Sequence, residues 1–188
     1  MSLSFISLWL STLLFSPSPA AKPEPKPAAV EASVSMIPWS GQKRLTWDDF
    51  AGSPASENQH HALTSTNMEM KVKCEKNQLK FRVEAVFNPR ESWTKNRKSA
   101  ALLAHEQLHF DLTELHARML RKRLAELPNA CSRGAADLNR YANEAFTNWH
   151  KEQDLYDSQC HHGLDKARQQ EWVENVAARL QELEQYAS

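Results

Sequence analysis

Apolar and polar residues alternate over two consecutive stretches of the chain. Met68, Met70, Val72 and Cys74 fall on every second position, and so do Leu79, Phe81, Val83, Ala85 and Phe87. A period of two puts one set of side chains on a single face of a strand, so residues 62–87 predict an antiparallel hairpin turning at Glu75 to Gln78. After Pro89 the period lengthens. Leu108, Leu112, Leu115 and Met119 form the core stripe of a long helix, which Ser92 or Thr94 can cap and which should end near Leu127, before Pro128-Asn129. A second helix is expected from about Ala135 to Leu155. A third runs from about Leu164 to Tyr186, with Trp172, Val176, Leu180 and Leu183 on one face. Between these two, Tyr156 to Gly163 reads as a polar loop. Ahead of the hairpin, Leu45 to Phe50 reads as a short strand or turn that buries its aromatics. No internal repeat is visible. A small antiparallel sheet followed by three helices is an α+β domain.

The first residues follow a different pattern. Phe5 to Phe15 is an apolar run of signal-peptide length, too short to span a bilayer, and Ser18-Pro19-Ala20 offers small residues for cleavage after Ala20 or Ala21. No Lys or Arg precedes the run, which departs from the usual signal. Residues 22–38, rich in Pro, Ala, Lys and Glu, read as an extended linker, so the expected division is signal 1–21, linker 22–38 and folded domain 39–188. That predicts an exported, periplasmic or secreted protein with no stable membrane insertion after cleavage. No Cys lies near the cleavage point to carry a lipid. Export allows a disulfide, but three cysteines leave one thiol over; Cys160 sits close to candidate site residues, which favours a Cys74–Cys131 pair.

Composition removes some functions. The 188 residues are 41% hydrophobic and 24% charged, which suits one ordinary core. Basic and acidic residues balance at 23 each, so nothing favours nucleic acid as a partner. The basic run Arg118 to Arg123 is read as the solvated end of a helix.

The chemistry concentrates in His105-Glu106-Gln107-Leu108-His109, an HExxH sequence inside the first predicted helix. Residues four apart share a helix face, so both imidazoles can address one ion, with Glu106 beside it to take a proton from water. A catalytic zinc needs three protein ligands and leaves one position open. His116 cannot be the third, because it lies roughly 10 Å along the helix axis from His109, while Zn–N bonds are about 2 Å. Asp111 and Glu114 point away from the His105/His109 face. Leu112 stands where a glycine would let the chain fold back, so the helix continues and the third ligand comes from elsewhere. His161 or His162, Asp157, and Glu144 on the second helix are the sources, with His60-His61 a fourth.

Three stretches then carry a resemblance. Leu45-Thr46-Trp47-Asp48-Asp49-Phe50-Ala51-Gly52 is similar to the opening motif of a bacterial family called domain of unknown function 922. His105 to Asp111 is similar to its HExxHFD helix, and Tyr156 to Gly163 to its late Tyr-Asp-x-x-Thr-x-His-Gly motif. The likeness spans about residues 39–186. Cys160 stands where that family usually has Thr, and Leu108 where Gly is common. The family is regarded as secreted zinc-dependent proteases, and its late motif singles out His162 over His161 as the third ligand.

The resulting expectation is a zincin-like, exported zinc metallopeptidase acting on a peptide or protein substrate. His105, His109 and His162 would hold zinc and Glu106 would act as general base. Tyr156 would donate to the oxyanion, and Asp157 and Asp111 would orient ligands. A hairpin edge beside the helix would hold an extended peptide. The rivals are a non-catalytic metal- or partner-binding domain and a zinc hydrolase of a non-peptide cell-wall amide.

Overall fold

A computed structural model describes residues 35–54 and 57–188. The expected signal, 1–21, lies outside the described residues, as does the linker up to residue 34. No helix of the described residues is long and apolar enough to cross a membrane.

The predicted hairpin is present as β3 (Thr66–Glu75) and β4 (Gln78–Phe87), in continuous antiparallel register from Thr66↔Phe87 to Glu75↔Gln78. Lys76 and Asn77 turn the chain with φ of 48° and 61°. Positive φ at both central residues matches the right-handed twist of the flanking strands. On the far side of β4 lies β1 (Ile37–Pro38), paired through Ile37↔Phe87 and Pro38↔Val86, so the sheet order is β1-β4-β3. The last residues assigned to the linker are therefore already part of the folded sheet.

A second pairing joins β2 (Ala62–Leu63) to β5 (Trp93–Thr94). This moves the start of the first helix. Thr94 is spent in a strand, and the Ser92 hydroxyl donates to Asn88 O at 2.7 Å while accepting Ser65 N–H at 2.9 Å. Neither caps the helix; Ser99 does, accepting from Leu102 N at 3.1 Å, and α1 runs Ala100–Ala125. Beside β5, a Cβ on Gly52 would meet Arg90 O at 2.5 Å and Ser92 O at 2.8 Å, so only glycine fits the bend that follows Phe50.

The sheet packs on one side of α1 through Met68, Val83, Ala85, Phe87, Phe110 and Leu120. The other side of α1 meets α2 (Gly134–Cys160) and α3 (Lys166–Glu182) through Leu108, Leu112, Leu115, Tyr156, Cys160 and Val176. Covered on both sides, α1 has little solvated face. Met119, expected in the stripe, is 42% exposed and borders a groove between α1 and α3.

The same burial corrects the reading of the basic run. Arg118 and Arg121 are 3% and 7% exposed, around a Glu114 that is 1% exposed. Glu114 accepts from Arg118 Nε at 2.9 Å and from Arg121 at 2.9 and 3.1 Å. The remaining guanidinium N–H groups reach Val83 O, Leu180 O and Tyr186 O, which ties the C-terminal 3-10 turn (Glu184–Tyr186) to α1. A buried charge persists only when its donors or acceptors are filled, as they are here. Cys74 at the hairpin tip bonds Cys131 before α2, as expected, and Cys160 stays a buried thiol.

Candidate metal centre

Side chains at 105 and 109 stand one helical turn apart on α1, facing the C-terminal end of α2. That end differs from expectation. α2 continues to Cys160, so Tyr156 and Asp157 belong to its last turns rather than to a loop. Tyr156 and Cys160 drive the extension, since four-residue spacing buries both against α1 and α3. Past Cys160 the chain turns through His161, His162 and Gly163, with φ of 46°, 53° and 81°. Asp165 then caps α3, accepting from Ala167 N and Arg168 N.

The third group to converge with the two histidines is Asp157. Its Oδ1 lies 3.1 Å from both His105 Nε2 and His109 Nε2, and these two nitrogens are 3.3 Å apart. Among the described residues this is the group that could hold a metal ion. His162, the preferred third ligand on sequence, sits outside it. Its Nδ1 is 3.5 Å from Asp157 Oδ1, its side chain is 59% exposed, and its ring lies edge-on to His60 with centroids 5.3 Å apart. The left-handed turn after α2 carries His162 to the rim, whereas the unbroken helix keeps Asp157 opposite His109.

The far nitrogens are tied to amides. His109 Nδ1 is 2.6 Å from Gln153 Oε1, and His105 Nδ1 is 3.2 Å from Gln169 Oε1. Gln153 Nε2 donates to His109 O, so its Oε1 is the end that accepts and His109 Nδ1 carries a proton. Both Nε2 atoms and Asp157 Oδ1 face one another, an arrangement that shared protons or a cation can fill. Neither glutamine stands out in the sequence. Gln153 stands four residues before Asp157, on the same face of α2, and that spacing is the signal it offered.

Burial lowers the proton affinity of His109, but Asp157 and Glu106 outweigh it and leave the pKa raised. Burial would raise the Asp157 carboxyl, yet its bonds to His105 and His109 hold it well below the usual carboxylate range. Glu106 is 4% exposed and its Oε2 accepts from Thr64 Oγ1 at 2.7 Å, which hangs the carboxylate between α1 and the start of β3.

Tyr156 holds a different place from the oxyanion donor expected of it. It is fully buried, its ring stacks on His105 with centroids 4.7 Å apart, and its hydroxyl reaches His105 O at 3.1 Å and Gln169 Oε1 at 2.8 Å. Burial, only partly offset by Gln169, pushes its pKa far up and keeps it a neutral phenol. It braces His105 from behind. Gly163 closes the same ring from the other side: a Cβ there would meet His105 Cβ and Cγ at 3.0 Å.

The remaining candidates are engaged elsewhere. His116 bonds Glu152 at 2.7 Å. Asp111 accepts from Trp39 Nε1 and Gln107 Nε2 and pairs with Arg44, so it anchors the N-terminal segment instead of orienting a ligand. Glu144 pairs with Arg123 and Arg140, and their hydrogen bonds lower its pKa. His61 is exposed, and only its backbone is held, its carbonyl accepting from Lys95 N.

A model of a bacterial protein family of unknown function, DUF922, matches residues 42–163. The chain belongs to the DUF922 family. The match begins just before the Leu45–Gly52 segment and ends at Gly163, so this DUF922 segment holds His105, Glu106, His109 and Asp157. Within it, Gln107 Oε1 accepts from Leu45 N at 2.7 Å, joining the opening motif to the centre of α1. No curated protein and no solved structure matches the chain.

Proposed function

We propose that this chain is an exported, zincin-like zinc peptidase in which His105, His109 and Asp157 hold the ion and Glu106 is the general base. The observation that carries the reading is the convergence of two imidazoles, each tethered at Nδ1, and one carboxylate on a common point, beside a second, separately held carboxylate, Glu106. Two nitrogens and one oxygen are a donor set that suits zinc and leaves a position for substrate.

When bound, zinc supplies a Lewis acid for a scissile carbonyl and raises the acidity of water. Glu106 takes the proton of the attacking water and returns it to the leaving amine. Thr64 holds one of its oxygens and so fixes the direction of that transfer. β3 is an edge strand, and its first residue, Thr66, meets Thr113 of α1 at 2.8 Å. Thr64, which holds Glu106, lies two residues before this edge, so an extended peptide added to it would end near that carboxylate, which favours a peptide over a compact substrate.

The test pairs zinc stoichiometry with hydrolysis of an unfolded protein substrate. Wild type should bind one zinc and cut. Glu106→Gln should keep the zinc and lose about 10²–10⁴-fold in rate. Absence of zinc in wild type would remove the metal reading. Undiminished hydrolysis by the Gln variant would remove the mechanism, and zinc binding without hydrolysis of peptide or cell-wall amide would point to a metal-binding module.

A further inference from the structure

The two histidines of the centre are not held alike. Gln153 Nε2 faces His109 O at 2.9 Å and Thr113 Oγ1 at 3.3 Å. A backbone carbonyl cannot donate, so that end of the amide must be nitrogen and the end facing His109 must be oxygen. The 2.6 Å contact then places a proton on His109 Nδ1. Every polar atom of the Gln153 side chain is thus committed to one orientation. Gln169 is held at one end only. Its Oε1 lies 2.8 Å from Tyr156 Oη and 3.2 Å from His105 Nδ1, but the one Tyr156 proton can go to His105 O instead. Its buried Nε2 has no hydrogen-bond partner among the described residues, so Gln169 does not fix the His105 tautomer and serves as the comparison.

We infer that Gln153 is a positioning residue that sets the Nδ1–H tautomer of His109 before any metal arrives. The inference rests on the metal reading of this site. In water a neutral imidazole can carry its proton on either nitrogen. A proton on His109 Nε2 would point at Asp157 Oδ1, 3.1 Å away, and would block the nitrogen needed for a ligand bond. The amide of Gln153 removes that competing state. Hydrogen bonds of this kind behind a metal-bound histidine are worth about 10–100-fold in metal affinity.

The experiment measures zinc affinity by competition with a chromophoric chelator for wild type, Gln153→Leu and Gln169→Leu. Nitrogen-15 NMR of the histidines in the metal-free proteins at mildly alkaline pH reports the tautomers directly. Gln153→Leu should bind zinc about 10–100-fold more weakly, and Gln169→Leu should lose less. His109 should be Nδ1–H in metal-free wild type and move toward Nε2–H in Gln153→Leu. Thermal unfolding of the metal-free variants separates loss of the fold from loss of the tautomer. If wild type binds zinc but Gln153→Leu binds it equally well, the inference fails while the metal reading stands. An Nε2–H His109 in metal-free wild type overturns it without any variant. A wild type that binds no zinc overturns both.

Discussion

Asp157 brings three imidazoles within 3.5 Å of one carboxylate oxygen, and that crowding separates the effects of neighbouring substitutions. Removing the carboxylate in Asp157→Ala takes away the group nearest both Nε2 atoms, so zinc affinity should fall by more than the about 10–100-fold typical of outer partners. His162→Ala, at the exposed rim, should leave zinc affinity close to wild type in the same titration. An equal loss in the two variants would restore His162 as a ligand. Gly163 makes a sharper test of geometry. It combines φ of 81° with direct packing on the His105 ring, so Gly163→Ala pays both backbone strain and displacement of that ring. We expect a loss of about 1–3 kcal/mol in denaturant unfolding together with weakened zinc binding. A substitution that destabilised without touching zinc affinity would show that the ring does not depend on the glycine.

At the level of elements, one half-buried contact joins all three long helices. His116 of α1 bonds Glu152 of α2 at 2.7 Å, and Glu152 pairs with Arg179 of α3. Burial opposes the charge of Glu152, but His116 and Arg179 prevail and lower its pKa to about 2. A depressed carboxyl stabilises the fold above the ordinary glutamate pKa and loses that contribution as pH falls through the folded value. Wild type should therefore exceed Glu152→Gln in urea midpoint at neutral pH, and the gap should close as pH falls toward about 2. A gap independent of pH would mean that charge on Glu152 contributes nothing. Elements with local causes were legible in the sequence: the alternation at 68–87 specified the hairpin, and four-residue spacing put His105 and His109 on one face. Those with distant causes were not. Thr94 looked like a cap because its strand partner, Ala62, lies 32 residues earlier in the chain. Asp157 looked like a loop residue because the surfaces that bury Tyr156 and Cys160 belong to α1 and α3. Asp157 is among the third-ligand candidates the sequence offers, and the length of α2 is what brings it, rather than His162, together with His105 and His109.

Across the whole molecule, the Cys74–Cys131 bond closes a 57-residue separation and fastens the hairpin tip to the segment before α2. Reduction should lower stability by about 2–4 kcal/mol, measurable by urea unfolding with and without reductant. Because the bond lies at the end of the sheet remote from Thr66, where β3 meets the centre, zinc affinity should survive reduction under conditions that keep the fold intact. The arginine network around Glu114 has a different reach. Arg118 and Arg121 hold Leu180 O and Tyr186 O, and Gln169 of α3 holds His105 Nδ1. The family match stops at Gly163, yet both attachments lie beyond it. A chain cut at that point would keep every proposed ligand while stripping two buried guanidiniums of acceptors and one ligand imidazole of its anchor. The contacts that complete the fold thus run past the matched segment, and the last two dozen residues brace His105 and the arginine network from outside it.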